Sequence, residues 1–344
     1  MKNDIIYVLH EYGSPNHYIS LVELGKQKGF KVKFRIFNPK SILRNLLRKN
    51  FGLAISSIGF LVSLPFVRKR KIVLGIAPFN RLLYPLSIIL KKHIVYYHTS
   101  YTIWDGSIMA HPTKSDSLIR FWRNFIKNNI KHIFAVSQKT ATELEKNNFI
   151  NKEKISIVNH SYFPVIISFP KTKDNTFIFV GRLTETKGIP ELLKIFSQRP
   201  NTELTIIGYG ELEPLVKEYA NKYTNIVYKG YFNSLEQIIP FYQQNSFCLM
   251  NSQRTGTWEE LFGIAIIEGM ASGCVPITTN HSGPMEIILS GINGFIVKEG
   301  AIESMIDNAI MMDDIMYQKL RNNAIKSGQN YHCSRMASKW IEIL

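Results

Sequence analysis

Apolar residues fall in short runs, and the spacing between them alternates along the chain. Residues 4–9 form an apolar run of strand length. Tyr18–Lys28 then takes helical spacing, and Gly29 closes it before a second strand-like run at Lys31–Phe37. This is a βαβ opening, and α/β sheets bind ligands in the loop that follows such a first strand. Further strand-length runs lie at 72–77, 94–97, 132–137 and 155–158. Ser137 is placed to cap a helix over 138–147, with Thr140 close behind it. The alternation restarts with strands at 176–180, 204–207, 226–228, 247–250 and 275–278, the last followed by a turn at His281–Glu286. Helical patterns stand at 189–197, up to Ala220, and at 234–243, and the last segment around 334–344 is also helical. Between the two series, Pro164–Lys173 is polar, basic and proline-containing. The pattern therefore predicts an α/β fold of two doubly wound, Rossmann-like domains, 1–168 and 169–330. A closing helix, 331–344, is expected to pack back on the first domain.

Composition adds an asymmetry. Of 344 residues 45% are hydrophobic, and the formal net charge is +16. Residues 1–168 carry 26 Lys/Arg against 8 Asp/Glu, a balance of 26 − 8 = +18, while residues 169–344 carry 16 against 18, a balance of −2. The first half is thus suited to an anionic neighbour, either nucleic acid or a membrane surface. No finger, RNP-like or helix-turn-helix signature supports nucleic acid. Phe51–Val67 is free of charge, with Lys49 before it and Arg68-Lys-Arg-Lys71 after it. It is too short and too rich in Gly and Ser for a membrane span, which needs about 20 apolar residues. Two readings stay open: a helix on the sheet that dips into a bilayer surface, or a packed helix followed by a solvated basic turn. The three cysteines, Cys248, Cys274 and Cys333, are far apart and make no CxxC pair, which argues for a reducing compartment and against a structural zinc site. The first residues show no apolar segment of signal-peptide type, so a cytoplasmic protein is expected, peripheral on the membrane if the basic half docks there.

Candidate chemistry gathers at strand ends. The stretch 258–270 holds Glu260 and Glu268 on either side of Phe262-Gly263, where a polar loop turns into an apolar helix. The first N–H groups of such a helix are free to meet an anion. Arg182 and Lys187, in the loop after strand 176–180, are both within reach of a diphosphate, and Gly181, Gly208 and Gly210 stand at neighbouring strand ends. In the first half, strand 94–97 delivers His98 into a loop with Tyr101, Trp104 and Asp105. The two aromatics are candidates to stack on a sugar or, alternatively, to seal the core, and His98 and Asp105 to act on a hydroxyl. His17 either faces a ligand or packs on the helix. No GxGxxG, Walker A lysine or DxD pair at a strand end is present.

In order and spacing these pieces resemble the retaining glycosyltransferases of the GT-B fold, family 4. The matching text is Phe179-Val-Gly-Arg-Leu-Thr-Glu-Thr-Lys-Gly188, Ile207-Gly-Tyr-Gly210 and Glu260-Leu-Phe-Gly-Ile-Ala-Ile-Ile-Glu268. It continues in Gly269-Met-Ala-Ser-Gly-Cys-Val-Pro276, Ser282-Gly-Pro-Met-Glu-Ile287 and Gly291-Ile-Asn-Gly-Phe295. The resemblance implies two domains facing across a cleft, a nucleotide-sugar donor on the C-terminal domain and an acceptor on the N-terminal one. Arg182 and Lys187 would hold the donor diphosphate, Glu268 the ribose hydroxyls and Glu260 the donor sugar. The backbone from Phe262 through Gly263 to Ile264 would contact sugar and phosphates. Gly181, Gly208 and Gly210 would line the donor site, Gly13 would mark the first loop, and His98 would be the N-terminal histidine. No metal or further cofactor is implied, and UDP-sugar stands ahead of GDP-sugar as donor. The implied acceptor is a glycan or lipid-linked glycan of a bacterial surface polysaccharide or glycoprotein. A non-catalytic nucleotide-sugar binder, a membrane scaffold and a sugar-nucleotide epimerase are the rival readings. Two departures stand out: Gly269 replaces the usual alanine, and the loop 251–259 before Glu260 is long.

Overall fold

Strand-forming runs and amphipathic helices alternate as the pattern requires, in two sheets built the same way. The computed structural model describes residues 4–11, 16–163 and 173–344. Gly13 and the linker expected at 164–173, except Lys173, lie outside the described residues. The chain divides into two compact units, Met1–Ser161 with Cys333–Leu344, and Tyr162–His332.

In the first unit the order is β1 (Ile5–His10), α1 (Ile19–Lys28), β2 (Lys31–Ile36), α2 (Pro39–Leu47), α3 (Phe51–Ser63) and β3 (Lys71–Gly75). It continues with α4 (Leu83–Leu90), β4 (Ile94–Thr99), α5 (Asp116–Asn129), β5 (Ile130–Ala135), α6 (Gln138–Lys146) and β6 (Ile155–Ile157). The sheet is parallel, in the order β2-β1-β3-β4-β5-β6. The strand order reverses between β1 and β3, so the loops after these two strands border the crevice where doubly wound sheets bind ligands. Ser137 accepts a hydrogen bond from the Thr140 N–H at 3.2 Å and caps α6. The edge strand β2 is covered by α3, and the Ile36 N–H donates to Ser57 Oγ at 3.0 Å. Leu9, Ile72, Leu74, Tyr97 and Trp122 anchor the core on one face. On the other face Ile6, Val8, Val73, Tyr96 and Phe134 pack with Trp340 from the C-terminal segment. That segment comprises α14 (Cys333–Ala337) and a 3-10 turn, Ser338–Ile343. The Trp340 indole N–H donates to Ser20 Oγ of α1 at 2.9 Å.

The second unit runs β7 (Thr176–Val180), α7 (Ile189–Ser197), β8 (Glu203–Ile207), α8 (Glu213–Lys222), β9 (Ile226–Tyr228), α9 (Leu235–Gln244) and β10 (Phe247–Met250). It ends with α10 (Ile264–Ala271), β11 (Val275–Thr279), α11 (Ser282–Ile287), β12 (Phe295–Val297), α12 (Ile302–Met311) and α13 (Asp314–Gly328). Its parallel sheet has the order β12-β11-β10-β7-β8-β9 and reverses between β7 and β10. Phe177, Phe179, Leu193, Phe196, Leu204 and Phe247 are buried between this sheet and its helices.

Three local expectations change. The strand expected at 72–77 ends at Gly75, because the Ala77 N–H leaves the ladder for the Glu11 carboxylate, 3.1 Å away. His281–Glu286, expected as a turn, enters α11: the Met285 N–H reaches the His281 carbonyl at 3.1 Å and the Ile288 N–H reaches Pro284 at 2.9 Å. Trp104 does not stand ready for a sugar; it is 2% exposed and packs on Phe79, Tyr97 and Phe149. Its neighbour Asp105 closes a tight turn, accepting from the Ser107 N–H at 2.8 Å and hydroxyl at 2.6 Å.

Candidate active site

The switch point of the second unit collects the residues singled out in its sequence. The loop after β7 and the loop after β8 are laced together by main-chain bonds, Gly181 N–H to Ile207 and Leu183 N–H to Tyr209 at 3.0 and 2.9 Å. This lacing needs Gly208, since a Cβ there would lie 1.8 Å from the Gly181 carbonyl oxygen. Gly210 sits two residues further along the same loop, close on Leu183. Arg182 is exposed, and among the described residues it is in no ion pair. Lys187 ends a short 3-10 turn and forms an ion pair with Glu260, which comes from the loop after β10. Residues on either side of the strand-order reversal are thereby joined. Phe262 is buried, and Gly263 starts α10 at φ +104°, a conformation that favours glycine. The N–H groups at Gly263 and Ile264 open the helix and have no acceptor within it.

Glu260 is held from several sides. Its N–H donates to His281 Nδ1 at 3.0 Å, and the opposite ring nitrogen lies 2.8 Å from the Ser252 carbonyl. These two bonds assign the imidazole as neutral, with its proton on Nε2. The Ser252 hydroxyl approaches the Glu260 carboxylate at 3.4 Å. Burial works to raise the Glu260 carboxyl, but the Lys187 ammonium beside it prevails and holds it below its ordinary value. Trp258 lies over the pair, with Lys187 Nζ 5.0 Å from its ring centre. The long loop is tied down near its start: the Gln253 N–H donates to the Thr186 carbonyl at 2.8 Å, and Arg254 bonds Glu299 at 3.1 Å and the Asn280 carbonyl at 2.9 Å. The neighbouring acid, Glu259, accepts from the Ser282 hydroxyl at 2.7 Å and so serves the start of α11.

Glu268, on α10, has the opposite environment. Burial pushes its carboxyl up to about 8, with a hydrogen bond from Tyr242 working the other way. No cation faces it in the ion pairs of the described residues.

The first unit has its own pocket at its own switch point. A cavity of about 210 Å³ is lined by His10, Glu11, His17, His98, Tyr101 and His160, among others. The rings of His17 and His160 are 4.4 Å apart and those of His98 and His160 5.8 Å. His98 is 6% exposed, and its Nε2 has no partner among the described residues. Burial, helped by the neighbouring rings, lowers His98 to about 3 and His10 to about 4, so these imidazoles are neutral. Glu11 is ionised: burial would raise it, but bonds from His111 at 3.1 Å and Asn80 at 2.8 Å hold it down.

Residues 166–329 match the family described as glycosyl transferases group 1. The matched residues make up nearly all of the second unit, Tyr162–His332. The capsular polysaccharide biosynthesis glycosyltransferase CapM of Staphylococcus aureus is 25% identical over 236 residues, covering 63% of this chain and 59% of CapM. An uncharacterized glycosyltransferase of Haemophilus influenzae is 25% identical over 216 residues, 60% of each chain. The chain thus spans about six-tenths of the length of these curated relatives. The Anabaena protein HepE, solved in complex with UDP-glucose, superposes with a TM-score of 0.70 at 15% identity, over 98% of both chains. That likeness gives the fold, GT-B, in agreement with the two parallel six-stranded sheets.

Within the matched residues, Gly181, Arg182, Lys187, Gly208, Gly210, Glu260, Phe262, Gly263, Ile264 and Glu268 all lie on the loops after β7, β8 and β10 or on α10. His98 lies in the other unit, at the end of β4. Sequence reasoning passed over His281, Ser252 and Trp258, which hold or shield Glu260. The signal available was His281 itself, a histidine just after a strand and at the head of a short helix. It also singled out His98 and His17 but not the four-histidine cluster they belong to, whose members are scattered from position 10 to position 160.

Proposed function

We propose that the protein is a retaining glycosyltransferase that moves a sugar from a nucleotide-sugar to a hydroxyl of a glycan or lipid-linked glycan acceptor. The observation that carries the reading is the Lys187–Glu260 pair at the switch point, beside exposed Arg182 and the start of α10. In this reading Arg182, Lys187 and the first N–H groups of α10 bind the donor diphosphate. They stabilise the charge it gains as the bond from the anomeric carbon to the phosphate oxygen breaks. The acceptor oxygen bonds that carbon from the same face, and its proton passes to the departing phosphate oxygen. Glu260, fixed through His281 and Ser252, orients the transferred sugar, and Glu268 takes the ribose hydroxyls. His98, neutral and with an open nitrogen in its pocket, is assigned a hydrogen bond to the reacting sugars. UDP-sugar is the favoured donor, in line with the UDP-glucose bound to HepE. CapM and the amylovoran biosynthesis glycosyltransferase AmsK of Erwinia amylovora support an acceptor in bacterial surface polysaccharide.

Replacing Lys187 with Ala tests the reading. Release of nucleotide from a UDP-sugar in the presence of acceptor should drop by about 10²–10³-fold, with circular dichroism unchanged. Unchanged turnover rejects the assignment. Release of nucleotide with no product on any acceptor favours the epimerase reading, and donor binding without turnover favours the non-catalytic one.

A further inference from the structure

The exposed face of α3 belongs to neither the sheet nor the site. Phe51, Ile55, Ile58 and Val62 recur at helical spacing and, with Phe66 just beyond, form one stripe whose members are between 43% (Ile58) and 84% (Phe66) exposed. Ala54, Ser57 and Phe60 on the opposite side are buried, so one face of α3 is packed on the protein and the other is open. Leu43 and Leu47 of α2, which packs beside α3, extend the open apolar surface. Isolated apolar residues on a surface need no explanation, but a contiguous stripe of large ones does.

Charge around the stripe is of one sign. Between Glu23 and Asp105 the chain has 16 Lys/Arg and not one Asp or Glu. Arg44, Arg48 and Lys49 stand before the stripe and Arg68 and Lys69 after it, all exposed. None of these five is in an ion pair among the described residues. Lys49 and Lys69 both take positive φ and turn the chain sharply at either end.

We infer that this face docks on an anionic lipid bilayer, with the α3 stripe and Phe66 entering the acyl boundary and the basic rim on the head groups. A span is ruled out by geometry. α3 has 13 residues, about 20 Å at 1.5 Å per residue, against a hydrocarbon core of about 30 Å. No helix among the described residues is long and apolar enough to cross a membrane. A second copy of the chain is the poorer occupant, because pairing two such faces sets two acid-free basic rims against each other. Nucleic acid would match the rim but leave the apolar stripe in water.

The inference holds whether or not the transferase reading does, and co-sedimentation with vesicles tests it separately. Wild type should pellet with phosphatidylcholine vesicles containing about one-third phosphatidylglycerol and stay in solution with phosphatidylcholine alone. The double variants Ile55→Asp/Val62→Asp and Arg48→Glu/Lys49→Glu should each bind about tenfold less or weaker still, while donor consumption without vesicles stays at the wild-type level. Phe66→Trp should show a blue shift of the added fluorescence on anionic vesicles only, a readout that does not depend on the charged variants folding. Wild type left in the supernatant overturns the inference. So does undiminished binding by the Ile55/Val62 variant, an unshifted fluorescence from the Phe66→Trp variant, or self-association through this face in place of vesicle binding.

Discussion

Glu260 and Glu268 are eight residues apart and share a local motif, yet their surroundings pull their titrations in opposite directions. Glu260 is held below its ordinary value by Lys187, so its contribution to stability is present above that value and is lost as pH falls through the lower, folded-state one. Glu268 is raised from 4.5 to about 8. Between these values the unfolded chain has released the proton and the folded chain retains it, so stability falls as pH rises and levels off above 8. Glu268→Gln cannot ionise and should escape that loss. Relative to wild type, its unfolding free energy, read from thermal melts, is expected to rise between pH 5 and pH 8 by about 1–3 kcal/mol. That is less than the whole shift would supply, because Glu268 is half-buried and water screens it. A constant difference across that range would contradict the environment assigned to Glu268. Both acids were legible in sequence from the motif spacing. Their environments were not, because Lys187 is 73 positions from Glu260 and His281 is 21. The two readings of Trp104 stayed open for a related reason: an aromatic in a polar loop looks alike whether it faces a ligand or seals a core, and burial at 2% decides for the core.

At the scale of elements, α10 is shaped by what it lies on. Gly269 faces β10, and a Cβ at that position would sit 2.7 Å from Cys248 Sγ and 3.1 Å from Cys248 Cβ. In an exposed helix a Gly-to-Ala change gains up to about 1 kcal/mol. Here overpacking should reverse the sign, and Gly269→Ala is expected to cost about 1–3 kcal/mol. Denaturant melts of Gly269→Ala, Cys248→Ala and the double variant check this: the double variant should be more stable than the sum of the single losses. Strands β7, β9 and β10 and helix α7 stand where their apolar runs begin and end in the sequence. Burial on both faces leaves a continuous apolar strand between polar strand ends, and that pattern reads directly. Ends set by distant side chains do not read this way, as with β3, which stops where Glu11 takes the Ala77 N–H.

The molecule as a whole places most of its positive charge and its neutral histidines in the first unit. His10, His17, His98 and His160 are all lowered from 6.5, chiefly by burial; neighbouring imidazoles add to this for His10, His98 and His160, with Glu11 opposing for His10. A histidine whose folded value is lowered binds its proton first in the unfolded chain, so stability is lost as pH falls from about 6.5 towards 4. Limited proteolysis at pH 7 and pH 4.5 should show cleavage within 16–161 rising at the lower pH ahead of cleavage within 173–332. The reverse order would speak against the cluster as the acid-sensitive part. The two doubly wound domains were legible because the alternation of strand and helix repeats. The division of roles between their pockets was not, since it depends on which strand ends lie side by side at each reversal of strand order.

The return of Cys333–Leu344 to the first unit carries a consequence for the order of events during synthesis. Trp340, fully buried against Phe134 and Tyr18, fills a place in a core whose other walls come from the first half of the chain. The ribosome delivers that side chain only after the whole second unit has been made. The first unit therefore leaves the ribosome with an open apolar hollow beneath α1, and vectorial synthesis sets the sequence of closure: the later-made unit can complete its core first, and the earlier-made one waits for its last turn of helix.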